Sequence, residues 1–444
     1  MDVSVEYSYY FIGIGGIGMS ALAHILLEKN QKVSGIDSHE TSLIQDLRKK
    51  GASITIGKKG ILSPNSFVIY SSAIKENHPD FIEAKKKQLP LLHRSVFLNE
   101  LMKDNKTLLV TGTHGKTSTS GLLTYICQKG NLSPTFAVGG IFLNFNHNGG
   151  YGEGKYFVAE ADESDGSFLN YPGHGAIITN IERDHLDYWK TEQAMKKGYL
   201  QFIDGISNHS LLFWGADDPY LSSLKIPGVS YGFSDRAALS IYNFRQEESG
   251  FFFSACFEEK PYEEIFLPMT GRHQALNALA VFGMALRLGI KQHTIREAFT
   301  TFKGMKRRLE MKKEGNGITI YDDYGHHPTE IRVTLSSLKE KIGRKRLVAI
   351  FQPHRFTRTR DLLDDFVSCF DAADILVVTD IYSAGEAPLV GIHSQMLFEK
   401  IQPKEGYYFN REELIDRVKT LLKPNDIVIT IGAGDITNIG EVLI

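Results

Sequence analysis

Residues Leu108–Ser118 read LLVTGTHGKTS. An apolar run ends in G-x-x-G-K-T, and helix-compatible residues follow through Gln128. Gly112 and Gly115 let backbone N–H groups, with Thr113 and His114 between them, approach phosphate oxygens. Lys116 can reach the β/γ-phosphates, Thr117 can offer a hydroxyl to Mg2+, and the helix entered through Ser118 points its N-terminus at the anion. The spacing departs from the common phosphate loop, which carries four residues between its glycines; Val110 stands where the first glycine would fall. A tight strand-to-helix turn is the plainer alternative. The order strand, loop, helix favours phosphate.

A hundred residues upstream, Phe11–His24 read FIGIGGIGMSALAH, with Gly13, Gly15 and Gly18 in G-x-G-x-x-G spacing. That spacing brings a diphosphate against glycine backbone and a helix N-terminus, and Asp37 after the second apolar run would suit an NAD ribose. The motif alone does not separate NAD from another diphosphate. Around it, strand candidates Tyr9–Ile14, Lys32–Ile36 and Ser66–Tyr70 alternate with a helix at Met19–Lys29, and a Ser71-Ser72-Ala73 turn follows. The opening residues lack a basic leader region and run directly into this first strand. Alternation of this kind predicts a parallel sheet covered by helices.

Downstream, the polar Lys103–Lys106 precedes the strand Thr107–Val110 and marks a domain boundary. The middle section holds strands at Tyr156–Ala159, Ala176–Thr179 and Ser210–Trp214 and an amphipathic helix at Gln274–Leu288. FVAEADESDGSF (157–168) puts carboxylates at a strand's end, where open α/β sheets place ligands; Glu160 suits a metal carboxylate. In TNIERDHLD (179–187), His185 between two aspartates is a candidate metal ligand. Past the charged Glu310–Glu314 and the turn Gly315-Asn316-Gly317, α/β alternation resumes at Ile318–Tyr321, Pro328–Lys341, Arg346–Phe351, Ile375–Thr379 and Ile427–Ile431. Three α/β units in series, 1–104, 105–311 and 312–444, are expected.

At 444 residues the chain exceeds one core, since cores stop growing near ~250–300 residues. No apolar run reaches the ~18–20 residues of a membrane span, and a net charge of −2 gives no nucleic-acid footprint. Three scattered cysteines without CxxC argue against disulfides or a zinc site and for a reducing compartment. A cytoplasmic protein without nucleic-acid or membrane partners, monomeric or weakly dimeric, is expected.

Eleven segments in order, GIGGIGMSALA, VSGID, SSAI, HRS, TGTHGKTS, EADESDGSF, TNIERDH, GRHQALNALA, DDYGHHPTEI, FQPHRFTRTRDL and the closing GAGDI, resemble the Mur ligases, ATP-dependent amino-acid ligases of peptidoglycan synthesis. The resemblance covers essentially the whole chain. ADESDGSF and DDYGHHPTE are similar to the branch that adds L-alanine to UDP-N-acetylmuramate; Arg183 departs from the proline of that pattern. The resemblance implies a Rossmann-like N-terminal domain, a central phosphate-loop ATPase domain and a Rossmann-like C-terminal domain. It turns the first glycine loop from NAD to a UDP-sugar, with Gly15, Gly16, Gly18, Met19, Ser20, Asp37, Ser71 and Ser72 as its contacts; hydride transfer has no use for Lys116.

The implied chemistry is phosphorylation of a carboxylate by ATP, then attack of an amine on the acyl phosphate. Lys116, a surface lysine of its loop, stabilises the transferring phosphate. Thr117 and Glu160 hold one Mg2+ and His185 helps hold a second. Asn277 meets adenine, Asp323 the ATP ribose, and Arg308 the nucleotide. Arg355 and Arg358 offer guanidinium forks to the amino-acid carboxylate, and Tyr324 and His326 line the same pocket. Closure of domains assembles the site. Lys196 and Lys197 lie near the position of a lysine that other members carbamylate. A tripeptide-recycling ligase, a nicotinamide-dependent dehydrogenase and a nucleotide-gated binding module are the alternatives.

Overall fold

The computed structural model describes residues 7–444; residues 1–6, read above as the lead into the first strand, and the side chain of Asp187 lie outside the described residues. Three separate sheets form. The first holds β1 (Ser8–Ile12), β2 (Lys32–Asp37), β3 (Ser53–Ile56), β4 (Ser66–Tyr70) and β5 (Leu91–His93) in the order β3-β2-β1-β4-β5, all parallel. The order reverses between β1 and β4, which opens a crevice beyond the strands' carboxyl ends. The glycine turn after β1 sits at that point and leads into α1 (Ile17–Glu28). Every residue of α1 from Met19 to Leu26 is buried. A helix buried all round needs cover on several sides. Here α1 packs on its own sheet and on a short hairpin of the next one.

The second sheet holds β6 (Lys106–Thr111), β7 (Thr135–Ala137), β8 (Gly149–Gly150), β9 (Tyr156–Glu160), β10 (Gly175–Ile178), β11 (Leu212–Gly215), β12 (Val229–Gly232), β13 (Leu239–Glu247), β14 (Gly250–Phe257) and β15 (Lys260–Leu267). Its order is β15-β14-β13-β12-β11-β10-β6-β9-β7-β8. The strand β6 lies between β9 and β10, parallel to both, so three carboxyl ends converge where the phosphate loop begins. One core runs continuously from α1 residues such as Leu22 and Ile25 to Leu109, Phe157 and Ile178.

The third sheet holds β16 (Glu310–Gly315), β17 (Ile318–Asp323), β18 (Leu347–Phe351), β19 (Ile375–Val378), β20 (Gly406–Tyr408) and β21 (Ile427–Ile431) in the order β16-β17-β21-β18-β19-β20. Apolar clusters cover its two faces, around Leu335 and Phe351 on one and Ile350 and Val428 on the other. The charged Glu310–Glu314, read as a junction, is instead the edge strand β16, antiparallel to β17. Charges on an edge strand discourage pairing with another chain, and they hide its period in the sequence. Contacts divide the chain into two compact units: residues up to Tyr242 with Ser254–Glu263 and Leu276–Lys303, and Asn243–Phe253 with Glu264–Ala275 and Gly304–Ile444.

Candidate active site

Two glycines shape the phosphate loop. Gly112 has φ +131° and Gly115 φ +84°, a conformation that side-chain-bearing residues rarely adopt. A Cβ at 112 would collide with the Thr179 hydroxyl, and one at 115 would stand 2.9 Å from Asn277 Oδ1. Asn277 therefore lies directly on the loop. From β10's end, Asn180 Oδ1 accepts the His114 N–H at 2.9 Å, and its amide donates to the His114 carbonyl at 3.1 Å. Thr113 is tied to Glu182 in both directions: its hydroxyl donates to the Glu182 carbonyl and accepts the Glu182 N–H. The helix α2 (Lys116–Lys129) starts here, with Thr117 and Ser118 buried in its first turn.

Lys116 is not the surface lysine expected. Its side chain is 13% exposed, and Nζ donates to the carbonyls of Gly112 (2.6 Å) and Thr113 (3.2 Å) and to Glu163 Oε1 (2.9 Å). The reason is the adjacency of β9 to β6, which brings EADESDGSF over the loop. Burial alone would lower the lysine's pKa, but Glu163, Asp162 and Glu160 more than reverse that and hold it charged. Glu163 is 1% exposed, and burial pushes its carboxyl up to about 7 against the opposing pull of Lys116. His185, at φ +52°, places Nε2 3.8 Å from Glu163 Oε1 and 3.5 Å from Asp184. Glu160 accepts from the Thr117 hydroxyl at 3.2 Å and from the Gly139 N–H at 2.9 Å. The structure thus brings together Lys116, Thr117, Glu160 and His185, and adds Glu163, which the sequence reading passed over. Lys196 instead pairs on its own helix with Glu192 at 2.6 Å.

At the first loop, the Gly15 N–H donates to Asp37 Oδ2 at 2.8 Å, so Asp37 braces the turn. Gly16 and Gly18 leave little room: a Cβ at 16 would stand 3.3 Å from the Gly13 carbonyl, and one at 18 would stand 3.0 Å from Arg94 Nη1. Met19 and Ser20 are buried, and Ser20 Oγ meets Asn148 Oδ1 at 3.3 Å. The Ser71–Ile74 turn, with Ser72 exposed, lies across Gly13 through Ile74.

In the second unit, Asp323 at β17's end accepts the Gly325 N–H at 2.7 Å and the Leu309 N–H at 2.8 Å. Arg308 lies over the Tyr324 ring, 5.4 Å from its centre, and 3.8 Å from Glu330. The Tyr324 and His326 rings meet edge to face at 5.5 Å, and His326 lies 5.8 Å from His354. Arg358 Nη1 stands 3.1 Å from His354 Nδ1; because guanidinium only donates, that nitrogen is the acceptor. Burial, then Arg358 and Arg355, lower the His354 pKa to about 4 and keep the ring neutral. Tyr324, His326 and Arg358 therefore share one cluster, with Arg355 beside it at the start of the helix Phe356–Asp361.

Burial raises the Asp323 pKa to about 6. A carboxyl raised in the folded state favours folding below its unfolded value of 3.8 and loses that contribution as pH rises through 6. At ~1.4 kcal/mol per pH unit the loss is on the order of 3 kcal/mol. Denaturant titrations at pH 4 and pH 7 should show Asp323→Asn flattening that decline. A decline unchanged in the variant would rule Asp323 out as its source.

Three sheets, a phosphate loop at the carboxyl edge of the second and glycine turns at the crevice of the first define a multidomain α/β phosphate-loop protein. Three family models match in chain order: the Mur ligase family catalytic domain over residues 8–106, the Mur ligase middle domain over 110–285, and the Mur ligase glutamate ligase domain over 307–434. The chain belongs to the Mur ligase family. It is 44% identical to a UDP-N-acetylmuramate–L-alanine ligase of Protochlamydia amoebophila over 438 residues, 98% of this chain and 96% of that protein. A ligase of the same name from Geobacter sulfurreducens is 40% identical, over 97% and 96%. Among solved structures, UDP-N-acetylmuramate–alanine ligase from Thermotoga maritima matches with a TM-score of 0.84 at 27% identity, covering 98% of each chain.

Proposed function

We propose that this chain joins L-alanine to UDP-N-acetylmuramate in an ATP-driven reaction through an acyl phosphate, a cytoplasmic step of peptidoglycan precursor synthesis. The observation that carries the reading is 44% identity across nearly the full length to a ligase named for those two substrates. Residues 1–104 bind the UDP-sugar, 105–311 bind ATP and 312–444 bind the amino acid.

Carboxylate and ammonium do not condense unaided, so the carboxylate is first phosphorylated. Lys116, preorganised by two loop carbonyls and Glu163, turns its charge to the transferring phosphoryl group, and the α2 N-terminus supplies further N–H donors. Asn277 packs on this loop, where its amide suits an adenine edge. Arg308 is assigned to the nucleotide and Asp323 to its ribose. Thr117 and Glu160 present oxygen donors of the kind Mg2+ takes, His185 adds an imidazole nitrogen beside them, and among the described residues the buried Glu163 Oε2 has no hydrogen-bond donor other than the Lys116 ion pair. When bound, two such ions would neutralise phosphate charge. Arg355 and Arg358 take the alanine carboxylate while Tyr324 and His326 wall the pocket. One assay tests this reading: phosphate release from ATP and UDP-N-acetylmuramate with L-alanine, glycine, L-serine or tripeptide. Turnover is expected with L-alanine, and turnover with tripeptide alone would replace the reading.

The first loop has its own test. Gly16→Val should raise the KM for UDP-N-acetylmuramate at least tenfold while that for ATP stays within about twofold, since tenfold is only ~1.4 kcal/mol of lost contact. Equal increases in both would remove the UDP assignment.

A further inference from the structure

We infer that Glu386 is a positioning residue for alanine binding, holding Arg355 and Arg358 in their productive geometry; this rests on the proposed amino-acid pocket. Arg355 carries φ +69° with ψ +139°, a sparsely populated backbone conformation for a residue with Cβ. Such backbone persists only where neighbours over-determine it. The determinants are on the loop after β19. The Tyr382 N–H donates to the Pro353 carbonyl at 2.9 Å, and the Arg355 N–H donates to the Tyr382 carbonyl at 2.8 Å. The series closes at Glu386, whose carboxylate accepts the Thr357 N–H at 3.1 Å and the Thr357 hydroxyl at 2.7 Å.

These bonds lace the segment Pro353–Thr357 to Tyr382–Glu386, and Arg355 lies within the laced stretch. The helix Phe356–Asp361 begins there with no side-chain cap from Arg355. Glu386 fills that part from outside, as a carboxylate meeting first-turn N–H groups. Burial works against its charge, but the Thr357 bonds and the Arg355 charge prevail and keep it ionised. Its own placement depends on a tight turn: Ala384 has φ +49°, Gly385 has φ +83°, and the Glu386 N–H donates to the Ser383 carbonyl at 3.0 Å. Because both Glu386 oxygens are engaged by Thr357, its part is to fix the backbone from which Arg355 and Arg358 project.

The test compares Glu386→Ala, Glu386→Gln and Thr357→Val in the full-length enzyme. Glu386→Ala should raise alanine KM about tenfold, with KM for ATP and UDP-N-acetylmuramate within twofold and hydroxylamine trapping of acyl phosphate retained. Glu386→Gln should restore most of the alanine affinity, because its Oε1 can accept the Thr357 N–H and its Nε2 can donate to the hydroxyl. Thr357→Val, which keeps the backbone N–H, should fall between, and it carries the test should Glu386→Ala not fold. An unchanged alanine KM in Glu386→Ala and Thr357→Val, or a parallel rise in all three KM values, overturns the inference. Arg355→Ala and Arg358→Ala, assayed alongside, separate the two ideas. Wild-type alanine KM in both would remove the pocket itself, whereas elevated values beside a normal Glu386→Ala would remove only the role of Glu386.

Discussion

Lys116→Ala should fold and should lose alanine-dependent phosphate release by at least ~10³-fold, the scale seen when a fixed charge at a reacting phosphoryl group is removed. The structure adds a second consequence. Lys116 is the close partner of the buried Glu163, so truncation leaves that carboxyl with only His185 Nε2, at 3.8 Å, to offset its charge. An unpaired buried charge is costly. Glu163 can avoid it by taking a proton, since burial already pushes its pKa up to about 7. With Lys116 gone, that value rises further. A carboxyl raised in the folded state stabilises at low pH and loses its contribution as pH climbs. The variant's thermal stability should therefore match wild type near pH 6 and fall below it near pH 9. Adding Glu163→Gln should abolish the difference. Turnover within tenfold of wild type in a folded Lys116→Ala would dismiss the phosphate-loop assignment; a deficit independent of pH would dismiss the account of Glu163.

Arg355→Lys and Arg358→Lys should each raise alanine KM at least tenfold while sparing acyl phosphate formation, which needs only ATP, metal and the UDP-sugar. Losing one charge-assisted bond is worth ~1.5–3 kcal/mol, and a lysine's point charge does not reproduce a guanidinium fork. Arg358 has a further reason to resist replacement. One of its nitrogens already stands against His354 Nδ1, which the two arginines help keep neutral. The fork can serve that ring and a carboxylate at once, whereas a lysine must divide a single nitrogen between them. Alanine-dependent product and hydroxylamine trapping, measured separately, decide the matter. Loss of trapping with intact alanine KM would move the arginines from the amino acid to phosphate.

Much of this was legible in residue order. The strands Ser66–Tyr70 and Ile427–Ile431 stand where apolar runs predicted them, and α2 begins at the lysine of G-x-x-G-K-T. The Glu310–Gly315 strand was not legible, because a run of charged residues on an edge looks like a solvated turn. Local chemistry named the glycines, the lysine, the carboxylate-rich segment and the arginine pair, since those signals span a dozen residues or fewer. Which carboxylate meets which cation was beyond its reach. Glu163 rather than another acid pairs with Lys116 because β9 lies beside β6, and Glu386 meets Thr357 because β19 lies beside β18. Motif and period are properties of neighbours in the chain, and they determined the folds of the units and the kinds of group each site holds. Strand order is a property of packing, and it alone decided which of those groups are buried together and which of them hold the others in place.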